Sequence, residues 1–319
     1  MYLLLVVAGL FSVMSISSME QTHEIKSIIG SGIERSKTYD ATGIRTIIVD
    51  RGCQESTAGY GRVQLKITQV SKDQDEKLII YADDNLFPYI IVNNRENNIS
   101  LGLYAPGQYI KPSREIIIFS ALKNYDRIVT HGFVDTHFLS SINGGKLACE
   151  IASESMMHMP SMKVNQIALQ VMDNAHVKMQ ENVELSADII SIVRKNKAQV
   201  ELKIKTNLLQ VENNGDGCIA LSGTAQEQQL YLENGSFLAQ DLKSQVIRPI
   251  MRNGKGDIKV TGLDLIQGTM SLNEQHDITY HTYYDALYIR PEEDVLQQYS
   301  GLLKDFSPQE ILKHIVWEL

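Results

Sequence analysis

Cysteine is scarce and poorly placed for cross-linking. The three, Cys53, Cys149 and Cys218, are widely separated along 319 residues. A disulfide framework needs more cysteines in a shorter chain, and a structural zinc site needs close pairs, so neither organises this fold. Buried free thiols are the expectation; at most one pair could bridge, and spacing does not choose which. Positive charge is also in deficit: 30 Lys and Arg against 38 Asp and Glu leave a formal charge of −8. With no basic stripe along the chain, a nucleic-acid partner is not expected.

Long hydrophobic runs are missing after the N-terminus. Tyr2 to Met14 is uncharged and mostly apolar, and Ser15, Ile16, Ser17 and Ser18 follow it. The run is short for a bilayer span and matches the apolar region of a signal peptide followed by small residues. No Lys or Arg precedes it, and no Cys closes it to mark a lipid anchor. Residues 1–18 therefore read as a signal-like leader. The expectation is an exported protein, periplasmic, outer-surface or extracellular, without a stable transmembrane span once the leader is removed. A buried first strand or helix is the alternative reading of the same run.

Catalytic signatures are absent as well. The chain has no Gly-x-Ser-x-Gly elbow and no phosphate-binding glycine loop. Gly254-Lys255-Gly256-Asp257 precedes a strand pattern where a nucleotide loop needs a helix. His131, His137, His158, His176, His276 and His281 show no metal-ligand spacing on a predictable face, and His131 and His137, six apart in one strand, are too distant to share an ion. Asp83-Asp84-Asn85 offers too few oxygens for calcium and reads as an Asx turn. No catalytic, cofactor-binding or metal-binding residue is assigned, and no cofactor is expected.

What the chain does contain is a beat. Val177, Val200, Ile219, Leu238, Ile258 and Ile278 are separated by 23, 19, 19, 20 and 20 residues. Leu169, Ile190, Leu209, Leu230, Ile250 and Met270 keep similar time, and Val171, Ile192, Val211, Leu232 and Leu272 follow two residues later, with Arg252 out of pattern. A period near 20 is the mark of a solenoid, each repeat one coil stacked on the last. Polar turns precede the markers: Asp173-Asn174, Lys195-Asn196, Asn213-Asn214-Gly215, Asn234-Gly235, Asn253-Gly254 and Asn273. Asn and Gly tolerate the left-handed backbone that a coil corner requires. The strands after them alternate, as in Val200-Glu201-Leu202-Lys203-Ile204, so one face is buried and one is wet.

Three segments follow the leader. Residues 28–126 read as irregular N-terminal strands: Ile44 to Val49, Val63 to Ile67, Leu78 to Tyr81, Tyr89 to Val92, Ile99 to Leu103 and Arg114 to Phe119. Residues 128–280 read as coils of about 20 residues; extrapolating backwards reaches Met157 and Val134. Residues 291–319 read as a helical cap. There Ser307-Pro308-Gln309-Glu310 forms a capping box, and Ile311, Leu312, Ile315, Val316 and Leu319 form a stripe suited to covering the open end of the last coil. The expected fold is all-β, a single-stranded parallel β-solenoid with a short helical C-terminal cap. A right-handed β-helix is expected, because parallel crossovers prefer that hand.

Gly30-Ser31-Gly32, Ile44 to Val49, Val63 to Thr68, and Leu78-Ile79-Ile80-Tyr81-Ala82-Asp83-Asp84-Asn85-Leu86 followed by Pro88-Tyr89-Ile90 resemble the head-GIN-domain family, the auto-transporter adhesins of the bacterial envelope. The resemblance spans roughly residues 30–280. This chain departs from it in favouring Asn-Gly corners over Ser-Gly-rich ones and in carrying the tail. The resemblance implies an exported β-solenoid and supplies no catalytic residues.

Two functional classes follow. The first is a non-catalytic, adhesin-like envelope protein whose rigid surface binds an envelope protein or a glycan. The second is a polysaccharide-degrading parallel β-helix, a lyase or hydrolase, which would stack carboxylates along one outer wall. The outward residues after the markers, Lys178, Glu201, Ala220, Ala239, Lys259 and Thr279, form no such ladder. Tyr280, His281, Tyr283, Tyr284 and Tyr288 cluster where the coils end, either as a sugar platform or, as preferred here, as packing between coil and tail.

Overall fold

The computed structural model describes residues 26–50, 62–105, 108–180, 183–232, 236–251, 258–268, 279–283, 286–289 and 315–317. The leader expected over 1–18 lies outside them. The N-terminal third holds β1 (Lys26–Ile29), β2 (Glu34–Asp40), β3 (Thr46–Asp50), β4 (Val63–Gln69) and β5 (Lys77–Asp83). A single 3-10 turn, Asp84–Tyr89, leads to β6 (Ile90–Arg95), β7 (Asn98–Leu103), β8 (Gln108–Lys111) and β9 (Ile116–Leu122). The coils then run through β10 (Arg127–His131), β11 (Val134–Phe138), β12 (Ile142–Ala152), β13 (Met156–Met159), β14 (Met162–Val171), β15 (His176–Met179) and β16 (Leu185–Lys195). Longer strands follow: β17 (Gln199–Asn214), β18 (Cys218–Leu232), β19 (Ser236–Met251) and β20 (Ile258–Gly268). Three short ones close the described chain: β21 (Thr279–Tyr283), β22 (Ala286–Ile289) and β23 (Ile315–Trp317).

These strands build the expected all-β parallel solenoid, and their pairing defines two walls. The first stacks β7, β3, β10, β12, β14, β16 and the later halves of β17, β18 and β19. The second stacks β9, β4, β11, β13, β15 and the earlier parts of β17, β18 and β19. Every one of these contacts is parallel. Strand residues alternate in and out, so each wall sends every second side chain into a common interior. In the first wall the inward ladder reads Ile99, Ile47, Ile128, Cys149, Leu169, Ile192, Val211, Leu230. In the second it reads Ile118, Leu65, Thr136, Met157, Val177, Val200, Ile219, Phe237. All sixteen are buried, in one continuous core apart from the polar Thr136.

Left-handed backbone recurs at one corner. Gly132, Ser153, Asp173, Asn196 and Gly215 all take positive φ, at 90°, 61°, 61°, 62° and 113°. Their spacing follows the register of the first wall, so they stack at the same bend of successive coils. The Asp173 and Asn196 corners were legible from composition; Ser153 was not. Its conformation is supported by the next coil, whose Asp173 carboxylate accepts the Ser153 N–H at 3.2 Å. Asn196 Nδ2 in turn donates to Asp173 Oδ1 at 2.9 Å.

The register departs from the sequence markers in several places; Leu209, for one, pairs with Gln228, which leaves Leu230 to Val211. Ile219 pairs with Phe237, and Leu238 pairs with Ala220, because this coil is one residue shorter and the strand recovers register through an irregularity at Ala220–Ser222. Ala239 is consequently buried, where the marker pattern put it outside. Leu169 and Val171 pair with Ile192 and Arg194, two residues beyond the expected Ile190 and Ile192. The step there is 23, since the insertion sits in the corner before β16. Finally, Thr136, and not Val134, faces Met157.

Stacking also reaches further towards the N-terminus than the extrapolated start, since β3 and β4 pair in parallel with β10 and β11. Beyond β7 and β9 the pairing turns antiparallel, through β6 on one wall and β5 then β2 on the other. The strand β2, Glu-Arg-Ser-Lys-Thr-Tyr-Asp, is an outer edge whose exposed charges discourage pairing with another chain. At the other end β20 pairs antiparallel with β22, which forms a hairpin with β21, and parallel with β23. Most of the expected helical cap lies outside the described residues; its Ile315 and Val316 belong to a strand.

Candidate functional site: an outer groove and a histidine pair

The long strands of the first wall bend at Asn165, Asp188, Asn207 and Gln226, each of which is skipped in the pairing register. Along this bend runs a groove of about 700 Å³. One lip is the ladder Asn143, Lys163, Ser186, Lys205, Thr224, Lys243, six consecutive coils in strict register. Lysine therefore occupies every second rung, with an amide or a hydroxyl between. Adjacent strands lie about 4.8 Å apart, so successive lysines are separated by about 9.6 Å. The bend residues add carboxamides and one carboxylate, Asp188. The groove thus carries three lysines against a single acid among its lining residues, although the whole chain is acidic.

The floor of the groove is held by buried polar contacts. Thr206 donates its hydroxyl towards Asp188 O at 3.1 Å and Leu208 O at 3.0 Å. Gln228, fully buried, donates Nε2 to Ser244 Oγ. At one end Gln69 and Asn143 exchange two hydrogen bonds of 2.8 Å, side chain to backbone in both directions. These contacts set the lip and leave the lysines exposed.

The outer face of the second wall carries a different cluster. Asp135 and His137 are two apart on β11 and so share a face, and His158 on β13 pairs directly with His137. The two imidazoles stack with centroids 4.4 Å apart and planes 12° from parallel. Both Nε2 atoms converge on Asp135 Oδ1, at 3.2 Å from His137 and 3.1 Å from His158. Burial pulls the His158 pKa below its ordinary value; Asp135 opposes this, and His137 and Lys178 reinforce it. Spacing in the sequence left these histidines apart. The signal was a step of 21 between them, equal to one coil, which gains meaning only once Thr136 is known to pair with Met157.

The remaining sequence candidates are placed separately. His131 Nε2 lies 3.1 Å from Glu150 Oε1, and Arg127 bonds the other oxygen at 2.6 Å. Burial raises the Glu150 pKa, but Arg127 and His131 outweigh it and hold the group low. His176 lies 3.5 Å from Glu201. His276 and the side chain of His281 lie outside what is described, as do those of Tyr280, Tyr283, Tyr284 and Tyr288. Cys149 and Cys218 are free thiols, with burial pushing Cys149 up to about 12; Cys53 lies outside the described residues. Among the described residues no helix is long and apolar enough to cross a membrane. No trio of carboxylates gathers among them to form a metal site.

Asp83, Asp84 and Asn85 work as a clamp. Asp83 accepts from Gly32 N at 2.9 Å, from Ser113 N at 2.8 Å and from Ser113 Oγ. Asp84 accepts from Ser31 Oγ at 2.5 Å, and Asn85 accepts from Ser31 N at 2.9 Å while donating to Ile29 O at 2.8 Å. The two halves of the motif read from the sequence are thus in contact, and Gly30 has no space for a Cβ beside the Asp83 carboxylate.

A parallel β-solenoid whose polar groups sit on its outer walls is the class that these features define. Residues 168–273 match the family model described as "Putative auto-transporter adhesin, head GIN domain". The resemblance read from the sequence is borne out by that match, which covers the coils from β14 onward and not the N-terminal motif. Among solved structures, a putative adhesin from Bacteroides fragilis shares the fold at a TM-score of 0.55 and 18% identity, over 76% of this chain and 98% of that one. A putative adhesin from Parabacteroides distasonis aligns at 0.51 and 15%, over 79% and 95%. A putative lipid binding protein from the same species aligns at 0.55 and 15%, over 76% and 97%. No curated protein matches the sequence.

Proposed function

We propose that this chain is an exported, adhesin-like envelope protein that binds an anionic glycan along the outer groove. The observation that carries the reading is the lysine on alternate rungs, Lys163, Lys205 and Lys243, with hydroxyl and carboxamide groups between and beside them. A rigid ladder of cations about 9.6 Å apart suits a polymer with one negative charge per disaccharide, while the hydroxyl and amide rungs suit sugar hydroxyls. The family match and the adhesin-named neighbours support a surface-binding role, and the apolar leader supports export.

The test is binding of the full chain to immobilised acidic and neutral polysaccharides, alongside Lys163→Gln, Lys205→Gln and Lys243→Gln combined. Wild type should bind the acidic polymers, more weakly as salt rises. The triple variant should lose about tenfold in affinity, since three exposed charge-assisted contacts at about 0.5 kcal/mol each sum to about 1.5 kcal/mol. All three lysines are exposed, so the thermal midpoint should not move. Equal binding by the variant, or equal binding of neutral polymers, would reject this reading.

A further inference from the structure

We infer that Asp135, His137 and His158 form a binding site for a divalent transition-metal ion of the zinc class. Asp135 Oδ1 is buried, and neither histidine contact has the alignment of a hydrogen bond, so the oxygen has no hydrogen-bond partner. Three ligand atoms, two imidazole nitrogens and one carboxylate oxygen, lie within 4.8 Å of one another. Zinc holds nitrogen and carboxylate ligands at about 2.0–2.1 Å, which places neighbouring atoms of a tetrahedral set about 3.3–3.4 Å apart. The observed separations from Oδ1, 3.2 and 3.1 Å, are close to that edge.

Placement favours the ion too. The two strands are locked in register by backbone pairing, so the three Cα positions are set without a ligand. Imidazole suits zinc, copper, nickel and iron, whereas magnesium and calcium want oxygens, so the donor set selects among divalent ions. Lys66 and Lys178 flank the histidines on the neighbouring rungs, and Glu201 follows Lys178. The lysines repel a cation, and the Asp135 carboxylate offsets that repulsion. Two nearly parallel rings cannot both direct in-plane lone pairs at one ion, so binding requires at least one ring to turn out of the stack. Three protein ligands leave a fourth position open. The side chains are 17%, 34% and 18% exposed, so that position faces solvent.

Untagged full-length protein, stripped with a chelator, should bind zinc at one site by calorimetry. Cobalt(II) at the same site should give the visible absorption bands of a tetrahedral complex. His158→Ala and Asp135→Asn should each weaken zinc binding at least tenfold and abolish the cobalt bands. Circular dichroism checks that they fold, and the more conservative Asp135→Asn decides the matter if His158→Ala does not. The Lys163/Lys205/Lys243 variant should bind zinc as wild type does, which separates this site from the groove. Absence of binding at micromolar zinc, or binding untouched in the folded variants, overturns the inference.

Discussion

Arg194 occupies a position that aliphatic side chains fill in the two preceding coils. Its rung runs Leu101, Val49, Thr130, Ile151, Val171, Arg194, Asn213, and the guanidinium is fully buried. Such a cation is tolerated only where acceptors meet its fork. Here Nε donates to Asn213 Oδ1, Nη1 to Asn196 O at 2.6 Å and Nη2 to Gly215 O at 2.7 Å. The arginine therefore ties together two successive left-handed corners. Arg194→Met would fill the volume and strand those acceptors; a loss of at least about 3 kcal/mol is expected, read as a lower urea midpoint. Arg194→Lys should recover little of it, because a point charge cannot reproduce the planar fork. Full stability in either variant would show that the corners hold without it.

Among the elements, the clamp at Asp83 links β5 to the 30–32 segment and to Ser113 ahead of β9. Burial raises the Asp83 pKa, but the Ser113 hydroxyl and amide, the Gly32 amide and the Arg114 charge together bring it below the ordinary 3.8. A carboxyl whose folded pKa is depressed contributes stability that is fully present above its unfolded value and is lost as pH falls through the folded one. Urea midpoints measured downwards from pH 6 should therefore hold steady until about pH 4 and fall below it. Asp83→Asn should start lower and show a shallower acid limb. A parallel pair of curves would assign the acid sensitivity to other groups, Glu150 first among them. The same clamp explains the spacing of Gly30-Ser31-Gly32 and Asp83-Asp84-Asn85: one motif supplies amides and a hydroxyl, the other the acceptors, with Asn85 donating one bond back.

For the whole molecule, the two-wall stack makes each coil depend chiefly on its neighbours, as expected of a solenoid. Removing residues 149–168 takes out one complete period, since Cys149 pairs with Leu169 and Met157 with Val177. Leu169 would then lie on Ile128 and Val177 on Thr136, with inward residues still inward. The shortened chain is expected to fold with an unchanged β signature by circular dichroism and a modestly lower thermal midpoint. An unfolded product would show that stability is not local to neighbouring coils. The groove would lose Lys163, and the metal site would lose His158.

The sequence by itself determined the repeat, the all-β class, the polar corners and most of the inward face, because a buried stripe forces alternation and a coil of constant girth forces a constant period. Val177, Val200 and Ile219 were correctly stacked on that basis, and Asp173, Asn196 and Gly215 were correctly placed at corners. Tertiary structure alone decided the coil-to-coil register, since an extra residue can enter a corner, as before β16, or a wall, as at Ala220–Ser222. A slip of one or two residues is invisible in a hydrophobic pattern, yet it decides whether Leu238 or Phe237 points inward and that Arg194 lies in a core rung. For the same reason both candidate sites were hidden. Lys163, Lys205 and Lys243 become a ladder, and Asp135, His137 and His158 a cluster, only when residues about 20 apart are brought to neighbouring strands about 4.8 Å away.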